Sequence, residues 1–130
     1  MNEVKDFLKE SKIYYLATIE DNKPKVRPFG TVEVYDNHLY IQTGKNKNVY
    51  KQIKKNNNVE ICAFNNGKWI RVEGKLIEDN RKEAKKHMLD NYPELRGMYD
   101  ENDDNTIVLY FESAHAVIAS FESDPIVIDF

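Results

Sequence analysis

The stretch His38–Thr43 (HLYIQT) runs directly into Gly44–Asn48 (GKNKN), and this junction indicates how the chain folds. The first half is rich in aromatic and β-branched residues, which predicts a strand over 38–43. Beyond the junction the hydrophobic period changes: Val49 and Ile53 lie four residues apart among lysines and a glutamine. That spacing predicts a helix over about 46–56, with Asn46 as its N-cap.

The same junction is a candidate anion-binding site. The first turn of a helix has backbone N–H groups without helical partners, and the helix dipole adds partial positive charge there. Thr43 offers a hydroxyl, and Lys45 and Lys47 offer charge. On this segment alone the alternative stays open that it is a solvated, lysine-rich helix start with no ligand.

Upstream lies a second motif, Val26-Arg27-Pro28-Phe29-Gly30. An arginine beside proline and glycine presents guanidinium donors on an irregular edge or bulge of a strand, although a surface arginine would fit the same pattern. A hairpin turning at Asp36-Asn37 would place Arg27 and Thr43 on neighbouring strands. A guanidinium, a hydroxyl and a helix start could then converge on one phosphate.

Turn and alternation patterns extend this unit in both directions. We predict strands over 13–19, 25–35, 38–43, 59–64 and 68–78, either one long bent strand or a hairpin over 106–121, and helices over 2–11, 46–56 and 81–91. Asn65-Asn66-Gly67 is a hairpin signal, and Asn80 is the expected N-cap of the third helix. A short turn reaching Met98 should follow that helix, and then an acidic loop over 100–105. Meandering strands with short helices favour a mainly β, α+β antiparallel barrel.

Composition limits the class of protein. With 130 residues, of which 41% are hydrophobic and 32% charged, a single domain over 1–130 is expected. No apolar stretch is long enough for a membrane helix, and the charged N-terminus argues against a signal peptide. One cysteine excludes an internal disulfide and fits a cytoplasmic protein. A net charge of -3 argues against nucleic-acid binding.

Other chemistries lack their motifs. Cys62 lies between Ile61 and Ala63, so we expect a buried apolar thiol rather than a nucleophile. There is no P-loop, dinucleotide-binding glycine motif or hydrolase elbow. The acidic loop lacks the glycine and terminal glutamate of a calcium loop. No metal site is expected, because the histidines are far apart and have no cysteine partners: His38, His87 and His115.

Taken together, the motifs Val26–Phe29, Leu39–Thr43, Lys47 and Val72–Gly74 resemble, in order and spacing, the FMN-binding split barrels of the pyridoxamine 5'-phosphate oxidase-like superfamily. The likeness covers about residues 3–121 and is greatest to nitroimidazole-resistance and general stress proteins. It implies a six-stranded antiparallel split β-barrel with short flanking helices. It also implies a homodimer with FMN at its interface and flavin-dependent oxidoreductase activity on a small molecule.

The resemblance also implies roles for individual side chains. Arg27 would reach the flavin or its phosphate, Gln42 and Thr43 would flank both, and Lys47 would clamp the phosphate. Trp69 would face the flavin ring, either from its own barrel or from the partner's. The implied cofactor-binding residues are Val26, Arg27, Pro28, Phe29, Gln42, Thr43, Lys47, Asn48 and Trp69.

Three departures from the family pattern narrow the function. The apolar end 126–130 replaces the basic, proline-terminated segment of the true oxidase, which argues against pyridoxamine phosphate as substrate. Gln42 stands where nitroimidazole-resistance proteins often have histidine, and Asn48 replaces a second basic residue. Two alternatives therefore stay open: a non-catalytic dimer that binds or senses flavin, and a barrel that binds haem or a deazaflavin. No catalytic residue is assigned.

Overall fold

A computed structural model describes residues 1–130 as one antiparallel sheet of eight strands with three α-helices and a 3-10 helix. In chain order the elements are Asn2–Ser11 (α1), Tyr14–Glu20 (β1), Lys23–Phe29 (β2), Glu33–Tyr35 (β3), His38–Gly44 (β4), Asn48–Lys55 (α2), Asn58–Asn65 (β5), Lys68–Asp79 (β6), Lys82–Asn91 (α3), Pro93–Gly97 (the 3-10 helix), Thr106–Ser120 (β7) and Ile126–Asp129 (β8).

The strand order shows where the barrel is split. Strands run β2-β1-β5-β6-β7-β4-β3, and β8 pairs with the later part of β7. Although β2 and β3 are consecutive in the chain, they lie at opposite ends of this order, so the sheet is not closed. Pro24 and Pro28 lie on β2, where an edge strand tolerates the missing backbone donor. The α+β split-barrel class is confirmed.

The predicted number of six strands is wrong. The segment expected to be one strand over 25–35 is two, because the chain leaves the ladder after Phe29 and resumes at Glu33 on the far edge. The apolar end forms an additional strand, Ile126–Asp129, alongside His115–Ile118. Both differences follow from long-range pairing that local residue preferences do not specify.

The predicted turns form where expected. Asp36 and Asn37 have φ angles of 48° and 62°, and Asn66 and Gly67 have 54° and 77°. Two consecutive left-handed residues make the tight turn that suits the twist of a β-hairpin, and asparagine, aspartate and glycine tolerate this conformation best. These turns set the register of β3 on β4 and of β5 on β6.

Two predicted helix caps are corrected. Helix α2 begins at Asn48 with Lys47 as N-cap, and α3 begins at Lys82 with Arg81 as N-cap, so neither Asn46 nor Asn80 is the N-cap. Residues 44–47 instead form a turn closed by the Lys47 N–H and the Gly44 carbonyl, 3.1 Å apart. None of the three helices is long and apolar enough to serve as a transmembrane segment.

The inner face of the sheet packs against α1 and α2 around one main core. Its largest fully buried side chains include Tyr14, Phe111, Leu16, Ile41, Ile61 and Ile70. On β5 the alternation buries Val59, Ile61 and Ala63 and turns the intervening residues outward. Cys62 is therefore exposed, and the expected buried thiol is wrong.

Candidate ligand-binding cavity

A cavity of about 430 Å³ lies among the end of β2, the end of β4, the start of α2 and residues 92–99. Six of the predicted cofactor-binding residues line it: Arg27, Pro28, Phe29, Gln42, Thr43 and Lys47. The two motifs singled out from the sequence are thus brought together, although Arg27 and Thr43 lie on strands that do not pair with each other. The two motifs come together because the two ends of the strand order, which do not pair, lie on either side of this cavity.

Gln42 and Thr43 form the most enclosed polar part of the cavity, and each is only 6% exposed. The Thr43 hydroxyl has no hydrogen-bond partner within the chain. Gln42 donates its side-chain amide to the Thr43 carbonyl at 3.0 Å, which leaves its own side-chain oxygen without a partner. Both residues are buried, yet neither of these oxygen atoms is sealed off from solvent, so a ligand or water in the cavity can pair with them.

The start of α2 adds donors and positive charge beside Thr43. The backbone N–H groups of Asn48, Val49 and Tyr50 have no hydrogen-bond partner in the chain, and no side chain caps them. Lys47 is exposed, lines the cavity and takes part in no ion pair. Free amides, the helix dipole and an ammonium group together favour an anionic ligand group.

Arg27 is held by a buried network that the sequence did not reveal. Its guanidinium donates to the Thr18 hydroxyl at 2.7 Å, the Leu16 carbonyl at 3.1 Å and the Gln52 side-chain oxygen at 2.6 Å. The Thr18 hydroxyl also donates to Gln52, whose amide donates to Glu20 at 3.2 Å. Burial lowers the pKa of Arg27, and the charge of Glu20 opposes that shift.

The network connects the two sides of the cavity. Thr18 on β1 is 1% exposed and Gln52 on α2 is 6% exposed, so neither exchanges its partners freely with water. Gln52 belongs to the helix whose first turn forms the candidate anion site. Arg27 is therefore fixed relative to that helix.

Three predicted residues lie elsewhere. Val26 and Asn48 line an adjoining cavity of about 390 Å³, which also borders on Arg27 and Lys47. Trp69 lines neither cavity: it lies on β6, half-buried, with its ring 5.1 Å from that of Phe121.

One wall of the cavity was missed by sequence reasoning, which predicted only a turn there. Residues 92–99, hereafter the 92–99 wall, contribute five lining side chains: Tyr92, Glu94, Leu95, Met98 and Tyr99. Glu94 is the only acidic residue lining the cavity. The one available signal was a short segment with two tyrosines, a leucine and a methionine but no helical or strand period.

A larger cleft of about 830 Å³ lies among β5, β6, β7 and β8. Its most prominent pair is His115 and Asp129, whose Nδ1 and Oδ1 atoms are 2.6 Å apart, and both side chains are largely exposed. No group of three or more potential metal ligands occurs in the chain. We favour the smaller cavity, since unpaired oxygen atoms of two buried residues are accessible from it beside the free amides at the start of α2.

Comparisons with known proteins show the family of this chain. The family model described as "Pyridoxamine 5'-phosphate oxidase" matches residues 1–117. No curated protein sequence matches the chain. A NimC/NimA family protein from Clostridium acetobutylicum is similar in structure with a TM-score of 0.97 and 38% identity, covering 100% of this chain and 92% of that one.

Two more distant structures share the fold. General stress protein 26 from Bacillus anthracis has a TM-score of 0.73 and 18% identity, with 98% of this chain and 97% of that chain covered. A pyridoxamine 5'-phosphate oxidase-related, FMN-binding protein from Nostoc punctiforme has a TM-score of 0.64 and 15% identity, with 98% and 92% covered.

Proposed function

Since this chain belongs to the pyridoxamine 5'-phosphate oxidase family, and within it to the group of NimC/NimA and general stress protein relatives, we propose that it binds FMN in the cavity of about 430 Å³. We propose further that it is a cytoplasmic flavin-dependent oxidoreductase acting on a small molecule. The observation that carries the proposal is the pair of unpartnered side-chain oxygen atoms on the buried residues Gln42 and Thr43, which stay accessible from the cavity beside the free amides of α2.

The residues present fit the cofactor. Lys47, the Thr43 hydroxyl and the first amides of α2 would hold the phosphate, because all three donate hydrogen bonds and two carry positive charge or dipole. Pro28 and Phe29 offer apolar surface suited to the flavin ring, and Gln42 offers an acceptor. When bound, FMN supplies the electron-transfer chemistry, so the cavity needs no acid–base pair of its own.

The role of this chain's own residues is then to bind, orient and exclude water. The Thr18–Gln52–Arg27 network holds the guanidinium in place before any ligand arrives. Pre-organised donors gain affinity because less ordering is required on binding. The 92–99 wall lines the opposite side of the cavity.

We also propose that the active form is a homodimer. The outer face of the sheet exposes large apolar side chains, including Tyr15 at 52%, Phe64 at 69% and Val127 at 55%. Apolar surface of this kind on a small protein commonly marks a contact with another chain. Trp69 is on the same face as Phe64, so the partner's Trp69 could cover a flavin bound here. Light scattering should give twice the chain mass; a monomer at micromolar concentration would count against the interface.

The first test is to mix purified protein with FMN, remove free ligand by desalting and record the absorbance spectrum. Retained oxidised-flavin bands at about one FMN per chain would support the proposal. Protein that emerges colourless would contradict it, and a retained haem or deazaflavin after purification from cells would assign the cavity to that cofactor.

A second candidate is a non-catalytic flavin carrier or sensor, and two departures from the family pattern favour it. Gln42 stands where nitroimidazole-resistance proteins often have histidine, and Asn48 stands in place of a second basic residue. Steady oxidation of NADH or NADPH by the FMN-loaded protein with an added acceptor would exclude this candidate. Flavin retention without turnover under any such condition would favour it over the enzyme.

A further inference from the structure

The 92–99 wall is apolar but contributes little to the core. Leu95, Met98 and Tyr99 belong to neither hydrophobic cluster, and the 3-10 helix within the wall buries no residue. Met98 is 71% exposed. Core packing therefore does not explain these side chains, whereas all three line the ligand cavity.

The wall is nevertheless firmly attached. The Tyr92 hydroxyl donates to the Val32 carbonyl at 2.9 Å and accepts from the Val32 N–H at 3.0 Å. On the outside, Arg96 pairs with Asp90 at 2.7 Å and with Glu101 at 2.6 Å. Tyr92 packs against the smaller hydrophobic cluster, whereas Leu95, Met98 and Tyr99 do not. A segment held in this way, with side chains left outside the core, has the properties of a binding wall, because fixed side chains lose little entropy when a ligand arrives.

Tyr99 reaches across from this wall to the strand end that precedes α2. Its hydroxyl oxygen would be 3.0 Å, and its Cε1 atom 3.3 Å, from a Cβ atom added to Gly44. Gly44 follows Thr43 directly, so the absence of a side chain there lets the tyrosine lie against the backbone. The Tyr99 hydroxyl has no hydrogen-bond partner in the chain, and it shares the cavity with Thr43 and Lys47.

We propose that the Tyr99 hydroxyl is a further anion-binding group, which donates a hydrogen bond to the phosphate that Thr43 and the start of α2 also bind. The phosphate would then be held from two sides, by the β4–α2 junction and by the 92–99 wall. This inference rests on the proposed function for the identity of the ligand, FMN, but the anion site itself can be tested without flavin.

The experiment compares wild type, Tyr99→Phe and the control Tyr110→Phe with three probes: FMN, riboflavin and inorganic phosphate. Tyr110 is half-buried in an aromatic cluster with Tyr40 and does not line the cavity. Tyr99→Phe loses one hydrogen bond to a charged group, so its affinity for FMN and for phosphate should fall about tenfold. Riboflavin, which has no phosphate, should bind that variant as it binds wild type, and Tyr110→Phe should bind all three probes unchanged.

A second variant tests the contact with Gly44. A Cβ at Gly44 approaches the Tyr99 hydroxyl to 3.0 Å, so Gly44→Ala should displace the tyrosine and weaken FMN and phosphate to a similar degree. Adding Tyr99→Phe to Gly44→Ala should then cause little further loss, because both changes remove the same interaction.

The outcomes separate this inference from the proposed function. Wild-type affinity for FMN in Tyr99→Phe, or an equal loss of FMN and riboflavin, would overturn the role of Tyr99 while leaving flavin binding intact. Wild type that binds phosphate in a Tyr99-dependent way but not FMN would uphold the anion site and overturn the flavin proposal. Wild type that binds neither would overturn both.

Discussion

Two polar clusters in this protein contain similarly buried residues, but their hydrogen bonds are arranged in opposite ways. In the first, hereafter the Asp79 cluster, the buried Asp79 carboxylate accepts from the Tyr40 hydroxyl at 2.7 Å and from the Arg81 guanidinium at 2.9 Å. Arg81 also reaches Asp36 at 3.0 Å. In the cavity, by contrast, Thr43 and Gln42 are just as buried but keep oxygen atoms without partners.

The difference shows that the Asp79 cluster stabilises the fold, whereas the oxygen atoms of Thr43 and Gln42 are free to bind a ligand. Burial raises the pKa of Asp79, but the hydrogen bonds from Arg81 and Tyr40 outweigh it and hold the pKa below its ordinary value. A group whose bonds are complete gains nothing from a ligand. The Thr43 hydroxyl has no partner within the chain but is accessible from the cavity, so it contributes little to the stability of the free protein and is available to a ligand.

The largest expected effect is on stability, from a substitution in the Asp79 cluster. Asp79→Ala would leave the Tyr40 hydroxyl, on a residue only 2% exposed, without its acceptor, and should lower the free energy of unfolding by about 2–3 kcal/mol. Urea unfolding would measure this loss. The matched control Asp104→Ala removes a carboxylate that is 98% exposed and should leave the unfolding midpoint unchanged. The folded variant should bind FMN with the affinity of wild type. A large loss of FMN affinity would contradict the claim that the Asp79 cluster serves only the fold.

The Gln52 network tests whether a completed cluster can also serve the cavity. Gln52→Met would remove the acceptor of both Thr18 and Arg27, and should cost about 2 kcal/mol of stability. FMN should bind several-fold more weakly because the guanidinium is no longer fixed. Gln52→Glu keeps the acceptor oxygens and should restore FMN affinity more than stability, since its charge faces Glu20. Variants that lose stability but keep FMN affinity would assign the network to folding alone.

At Thr43 in the cavity we expect the opposite result, a loss of FMN affinity without a loss of stability. Thr43→Val replaces an unpartnered hydroxyl with a methyl group of the same shape, so stability should stay the same or rise slightly. FMN affinity should fall about tenfold, as expected when a hydrogen bond to a charged group is lost. Urea unfolding of this variant would check its stability, and FMN titration would check its affinity. A clear loss of stability would mean that the hydroxyl is paired in the free protein.

The smallest effect is a pH dependence at another completed pair, Lys9 and Glu33, whose atoms are 2.6 Å apart. Burial is the largest single influence and raises the pKa of Glu33, but the hydrogen bonds from Lys9 and the Val34 N–H, together with the charges of Lys9 and Lys5, outweigh it and hold the pKa below its ordinary value of 4.5. The pair's contribution, about 1 kcal/mol after solvent screening, is therefore fully present above that value and lost as pH falls through the lower, folded-state pKa. The stability difference between wild type and Glu33→Gln should shrink in that acidic range. A difference that stays constant there would contradict the assignment.

Local patterns in the sequence were sufficient for much of the fold and part of the site. Turn residues at Asp36-Asn37 and Asn66-Gly67 fixed the hairpins, and the change of period at Thr43 located the strand-to-helix junction that lines the cavity. These features depend on residues close in sequence, so local residue preferences are enough to predict them.

The rest depends on contacts between distant residues. The crossing at residues 30–32 sends the chain to the far edge of the sheet, whereas the nearby proline and glycine, Pro28 and Gly30, indicated only an irregular strand. The Gln52 network joins three elements, and the 92–99 wall has no period that would predict its place. The outward position of Cys62 could have been inferred from the alternation in β5, but its apolar neighbours favoured burial.

The most direct test of the account is a calorimetric titration of FMN into wild type and into the double variant Thr43→Val/Lys47→Met, with urea unfolding of both proteins. We predict about one FMN per chain in wild type and affinity lower by about two orders of magnitude in the variant, if the two losses add. The unfolding midpoint should not fall. Equal FMN affinity in the two proteins would contradict the account and place the flavin outside this cavity.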